Sequence, residues 1–127
     1  MSQKIKFKIK NKQINKIKTT LYVSALYKGD SVIKSLDDIF ESRISKAIKI
    51  DSFKGDFSKT IELYGSTNIG KLLLVGLGDR KSFNSDKLRA IAANIIRTIE
   101  SNKITSIYID AKSFKLENND YAQAFSE

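Results

Sequence analysis

The run Lys71-Leu72-Leu73-Leu74-Val75-Gly76-Leu77-Gly78-Asp79 constrains this chain more than any other stretch. From Leu72 to Gly76 no polar residue interrupts it, so a strand formed here has no face to give to water. That is the pattern of a strand covered on both sides, as in a sheet flanked by helices. Two glycines close the run, and Asn84-Ser85-Asp86 then opens an amphipathic segment reaching to Asn102. Ile104-Thr105-Ser106-Ile107-Tyr108-Ile109-Asp110 follows as a second β-rich run. Strand, crossover helix and strand form a βαβ unit, which places the chain in the α/β class.

The remaining elements read outward from that unit. Lys4-Ile5-Lys6-Phe7-Lys8-Ile9-Lys10 alternates strictly, with Ile5, Phe7 and Ile9 on one face, which predicts a half-buried strand. Its lysines suit a sheet edge, where charge opposes edge-to-edge pairing. A polar, asparagine-rich loop to Lys18 precedes a second strand over Thr19–Tyr27, ended by Lys28-Gly29-Asp30. Ser35, with Asp38 three residues on, reads as the start of a helix. Leu36, Ile39, Phe40, Ile44, Ala47 and Ile48 recur at spacings of three and four and predict one apolar stripe along it. Phe53-Lys54-Gly55-Asp56-Phe57 is a loop, Lys59–Tyr64 a further alternating strand, and Gly65–Gly70 a turn into the Leu72 strand. Leu88, Ile91, Ala92, Ile95 and Ile99 form the buried stripe of the second helix. The expected order is β-β-α-β-β-α-β, a mixed sheet of about five or more strands flanked by helices. Near the end, Asn118-Asn119-Asp120 reads as a helix start, with Tyr121, Ala122 and Phe125 sharing a face; the expectation is a chain that continues past Glu127.

Length and composition narrow the function classes. A chain of 127 residues has room for one domain with a core. No apolar run approaches the ~18 residues of a membrane span, and no apolar segment follows the lysine-rich start, so neither a membrane nor a secretory role is expected. Cysteine and histidine are both absent, which removes disulfides, thiolate or imidazole zinc sites, and catalytic triads that depend on either residue. The expected compartment is the cytoplasm. The net charge of +9 is concentrated: Lys4, Lys6, Lys8, Lys10, Lys12, Lys16 and Lys18 stand in residues 1–18 without an acid, leaving 16 basic against 14 acidic residues elsewhere. These seven lysines are the candidate nucleic-acid contacts. Against that reading, arginine, the better reader of phosphates and base edges, occurs only four times. A solvated lysine face on an edge strand accounts for the same residues.

Other candidate chemistry is weak. Gly76-Leu77-Gly78 lies between a strand and a helix, but a dinucleotide fingerprint needs a third glycine where Lys81 stands. Asp79-Arg80-Lys81-Ser82 also lacks the glycine spacing of a phosphate-binding P-loop, so a turn requiring a permissive backbone is the expected role. Asp37, Asp38 and Glu41 are expected to be solvated on a helix, and Tyr22, Tyr27 and Tyr108 to be packing residues within strands. By its own residues the chain carries no catalytic, cofactor-binding or metal-binding set.

The words around the central run nevertheless resemble a known family. Lys71-Leu72-Leu73-Leu74-Val75-Gly76-Leu77-Gly78, then Asp79-Arg80-Lys81-Ser82-Phe83, then a helix beginning at Asp86-Lys87-Leu88-Arg89, is similar to the N-terminal domain of the leucyl aminopeptidase (cytosol aminopeptidase, peptidase M17) family. Phe53-Lys54-Gly55-Asp56-Phe57 resembles the loop before that family's third strand. The resemblance spans about Thr19 to Ala111. One departure is specific: the family pattern usually has a second glycine just after this loop, where Ser58-Lys59-Thr60 has none.

The resemblance implies a macro-domain-like fold and a parent enzyme that is a cytoplasmic, hexameric two-metal exopeptidase using manganese or zinc to release N-terminal residues from peptides. It further implies that the metal ligands lie in a C-terminal catalytic domain. Residues 1–115 would be the non-catalytic domain, supporting assembly and active-site access, and residues 116–127 the start of a helix or linker toward the catalytic part. Two alternatives stay open at this point: non-specific nucleic-acid binding by the lysine stripe, and a nucleotide or ADP-ribose pocket near Gly76–Gly78 suggested by the fold analogy.

Overall fold

The computed structural model describes residues 6–8, 18–65, 68–101, 104 and 106–115. Its elements in chain order are β1 (Lys6–Lys8), β2 (Thr19–Tyr27), α1 (Lys34–Ile39), α2 (Arg43–Ile50), β3 (Thr60–Tyr64), β4 (Ile69–Gly78), α3 (Ser85–Ser101) and β5 (Ser106–Ile109). The strands form one five-stranded sheet in the order β1-β5-β2-β4-β3. The pairs β1–β5, β5–β2 and β2–β4 are parallel, and β3 closes one edge antiparallel to β4. The lysine-bearing β1 is the opposite edge, as its alternation predicts.

Alternation along the inner strands sorts the core into two layers. Leu21, Val23, Ala25 and Tyr27 of β2, with Leu73, Val75 and Leu77 of β4, face α3 and meet Leu88, Ile91, Ala92, Ile95 and Ile99. The intervening Tyr22 and Leu26, with Leu72 and Leu74, face α1 and α2 and meet Leu36, Phe40 and Ile44. Leu72 through Val75 are all buried, so the uninterrupted run does mark a strand covered on both faces. The Asn84 side chain accepts from the Lys87 amide at 3.0 Å, which satisfies a donor of the first turn of α3 and fixes where that helix begins.

The first helix differs from expectation. The apolar stripe from Leu36 to Ile48 is real, but two short helices carry it, separated at Glu41 and Ser42, both left-handed (φ 55° and 61°). Ser35 lies inside α1, and no side chain caps that helix; Lys34 and Asp38 instead form an i,i+4 ion pair at 3.1 Å. Asp37, expected to be solvated, is half-buried and accepts from the Ser45 amide at 3.1 Å, satisfying the first turn of α2 across the break. Arg43 secures the junction: its guanidinium donates to the carbonyls of Phe40, Tyr64 and Gly65 at 3.0, 2.9 and 3.3 Å. The turn re-aims α2 so that Ile44 continues the stripe begun by Leu36 and Phe40.

Candidate functional site

In open α/β sheets ligands bind beyond the carboxyl ends of the parallel strands, where successive crossovers diverge. Here that place lies at the ends of β2, β4 and β5, because the chain leaves β2 toward β4 on one side and reaches β5 on the other. Three segments surround it: residues 28–33, the Gly76–Asp79 end of β4, and Asp110–Lys115.

Gly76–Gly78, expected to form a turn, are the last residues of β4, and this strand end is occupied by the chain itself. The Gly76 amide donates to the Lys59 carbonyl at 2.7 Å, the Gly78 amide to Gly55 at 2.7 Å, and the Ser58 amide to Gly76 at 2.9 Å. A Cβ on Gly76 would lie 2.1 Å from the Asp56 carbonyl oxygen, so only glycine lets the 53–59 loop approach this closely. With these two amides engaged, and α3 starting only at Ser85, this end of β4 presents no cradle for a phosphate. The glycines serve close backbone approach. Phe57 and Phe83 seal the region, Phe83 meeting Tyr27 edge-on at 5.6 Å between ring centres.

A single turn of 3-10 helix, Ala111–Phe114, closes the β2/β5 side. The Asp110 amide donates to Val23 at 2.8 Å, and the Ala25 amide to the Ser113 hydroxyl at 2.9 Å. The Ser113 hydroxyl donates in turn to the Asp110 carbonyl at 2.6 Å, and the Tyr27 hydroxyl to the Phe114 carbonyl. Lys115 reaches across to Asp30 at 2.9 Å, joining the two walls. Between these walls lies a cavity of about 70 Å³ lined in part by Ser24, Leu26, Leu74 and Ser113. On the other side of the 28–33 segment, toward α2, lies a groove of about 480 Å³.

One polar pair, Tyr22 buried and Asp110 half-buried, stands at the end of β5. Tyr22 and Tyr108 stack with ring centres 5.3 Å apart, and the Tyr22 hydroxyl hydrogen-bonds the Asp110 carboxylate. Desolvation, then the nearby Asp110 charge, pushes the Tyr22 phenol well above its ordinary value. Desolvation likewise raises the Asp110 carboxyl, against the lowering effect of its hydrogen bonds to Ser113 and Tyr22. Tyr22 and Tyr108 are both buried within their strands, which agrees with the reading of these two tyrosines as packing residues.

The candidate nucleic-acid lysines are not assembled into a described surface. Lys6 and Lys8 lie on β1, Lys18 is exposed just before β2, and Lys4, Lys10, Lys12 and Lys16 fall outside the described residues. Among the described residues no group of three or more His, Cys, Asp or Glu side chains could hold a metal ion, and no helix is long and apolar enough to cross a membrane. The Ala111–Phe114 closure went unseen in the sequence; its partners are 85 or more residues apart, and nothing local marks them.

The sheet order and the helical layers on its two faces define a macrodomain-like α/β domain. The macrodomain of Mycobacterium tuberculosis DarG superposes with a TM-score of 0.69 at 13% identity, covering 98% of this chain and 91% of that one. A tomato leucine aminopeptidase mutant superposes with a TM-score of 0.75 at 16% identity, covering 98% of this chain but 28% of that one. At these identities the likeness is one of fold. Sequence carries the assignment further: the profile described as "Cytosol aminopeptidase family, N-terminal domain" matches residues 21–127. The chain belongs to that family, as its N-terminal domain. The probable cytosol aminopeptidase of Sulfurihydrogenibium sp. is 28% identical over 123 residues, which are 91% of this chain and 24% of the relative. The chain therefore spans about a quarter of the length of the curated relatives it matches.

Proposed function

We propose that this domain is the non-catalytic part of a longer cytoplasmic aminopeptidase, with residues 1–115 forming the domain and residues 116–127 leading toward a C-terminal catalytic portion. The observation that carries the reading is the family match over residues 21–127, joined to the small share of each relative that this chain covers. The described residues offer no metal-holding cluster. On this reading the two divalent ions, manganese or zinc, and the hydrolysis of the N-terminal peptide bond belong to the catalytic portion. The domain's own contribution is to assembly, as a hexamer, and to control of access to the active sites. A carboxyl-end crevice narrowed by the Ala111–Phe114 turn is compatible with such a supporting role.

The test compares three purified proteins: the full-length polypeptide, the same polypeptide without residues 1–115, and residues 1–127 alone. Release of leucine from a leucyl peptide is followed before and after chelation and after return of manganese or zinc, with mass measured by sedimentation. The expected result is metal-dependent release by the full-length protein, none by residues 1–127, and altered assembly or altered preference for peptide length when 1–115 is removed. Leucine release by residues 1–127 alone would overturn the proposal.

A further inference from the structure

The groove beside α2 is built differently from the closed crevice. Leu26, Val32, Ile48 and Phe53 give it apolar walls, and Ser31 and Ser45 add hydroxyls. Its volume of about 480 Å³ falls within the range of small-molecule sites, roughly 300–1,000 Å³. The charges around it do not cancel. Asp30, its only acid, is held by Lys115 at 2.9 Å, and Lys28 is held by Asp56 at 3.7 Å. Lys49 and Lys54, both exposed at the same groove, have no ion-pair partner among the described residues. The balance is an apolar floor bordered by two uncompensated cations and no uncompensated acid.

From that balance we infer that the groove binds a small organic anion with an apolar body, of the class of a medium-chain acyl or aromatic carboxylate. The apolar part would displace water from Leu26, Val32, Ile48 and Phe53, and the carboxylate would lie toward Lys49 and Lys54. A cationic amphiphile of the same length meets like charge at the rim and is excluded. This site is independent of where peptide hydrolysis takes place in the parent protein. It borders the carboxyl-end crevice, with which it shares Leu26, Asp30, Ser31 and Val32, and lies on the α2 side of that segment.

The experiment uses the 127-residue chain, with 8-anilinonaphthalene-1-sulfonate as fluorescent reporter and octanoate and octylamine as competitors. Octanoate is expected to displace the reporter at concentrations at least tenfold below octylamine, with affinity falling severalfold between 50 and 300 mM salt. The double variant Lys49→Glu/Lys54→Glu, both surface positions, should weaken octanoate at least tenfold. Ser31→Trp, which fills the groove from its exposed loop, should abolish displacement; circular dichroism checks that each variant keeps its fold. Equal displacement by octanoate and octylamine, or unchanged octanoate affinity in both variants, overturns the inference. So does a native chain that dimerises, with Ser31→Trp monomeric and octanoate without effect, because the occupant would then be a second copy.

Discussion

Ser58, which follows the Gly55-Asp56-Phe57 segment, has a left-handed backbone at φ 63°. Its amide donates to Gly76 at 2.9 Å, so the conformation is imposed by the closure of the 53–59 loop over β4. A residue with a Cβ pays about 1–2 kcal/mol for a left-handed backbone. Glycine removes that strain but loses about 0.5–1 kcal/mol more chain entropy on folding. The Ser58→Gly variant should therefore be more stable by the difference, about 0.5–1 kcal/mol. For a chain of this length that corresponds to a melting temperature raised by about 2–4 °C. Ser58 is exposed, and the amide bond to Gly76 is retained, so little else changes. Ser58→Ala, which keeps the Cβ, should show no comparable gain. Thermal and urea unfolding followed by circular dichroism would measure both. A Ser58→Gly protein that melts at or below the native temperature would refute the strain argument.

Two further substitutions probe the same region and the buried polar pair. Gly76→Ala places a Cβ 2.1 Å from the Asp56 carbonyl oxygen, so the loop must move off β4; the expected loss is about 3 kcal/mol or more, read as a lowered urea midpoint. An unchanged midpoint would mean that the loop is not seated on the strand. Tyr22→Phe removes the hydrogen bond to Asp110 and should cost about 1–2 kcal/mol at neutral pH. The folded phenol is raised above its ordinary value of 10.0, so above pH 10 the unfolded native chain releases that proton first and native stability falls. The variant lacks this loss, and the stability gap between the two should narrow by up to about 1.4 kcal/mol for each pH unit above 10. A gap that stays constant from pH 8 to 11 would refute the burial of that phenol.

Much of the fold was legible because it rests on local periodicity. The uninterrupted Leu72–Val75 run marked a doubly covered strand, and the stripe from Leu88 to Ile99 marked α3, which spans Ser85–Ser101. The edge position of β1 followed from lysine alternation. The break between α1 and α2 was not legible, since neither glycine nor proline stands at Glu41 or Ser42. It depends on Arg43 reaching Tyr64 and Gly65, a contact that exists only once β3 is in place. Asp37 was misread for the same reason: its partner, the Ser45 amide, becomes available only because the helix breaks. The weakness of the glycine turn as a phosphate site could be read from the missing third glycine, but the loop that covers it could not.

The closure of the crevice separates two properties that the fold can carry together. The sheet, its parallel register and the two apolar layers require Leu21, Val23, Leu73, Val75 and their neighbours. None of these requires an open carboxyl end. Access there is decided by a handful of other groups: the Ser113 hydroxyl on the Ala25 amide, the Tyr27 hydroxyl on the Phe114 carbonyl, and Lys115 on Asp30. These bonds attach a short segment to β2, and its Phe114 is fully buried in the α3-side layer together with Tyr27. The Ser113 hydroxyl and the Lys115–Asp30 pair are separate from the alternating strand residues that set the sheet, so a shared fold does not by itself give a shared site. The same separation explains why likeness in fold to a macrodomain does not carry a macrodomain's ligand to this chain, whereas the sequence match over residues 21–127 does carry family membership.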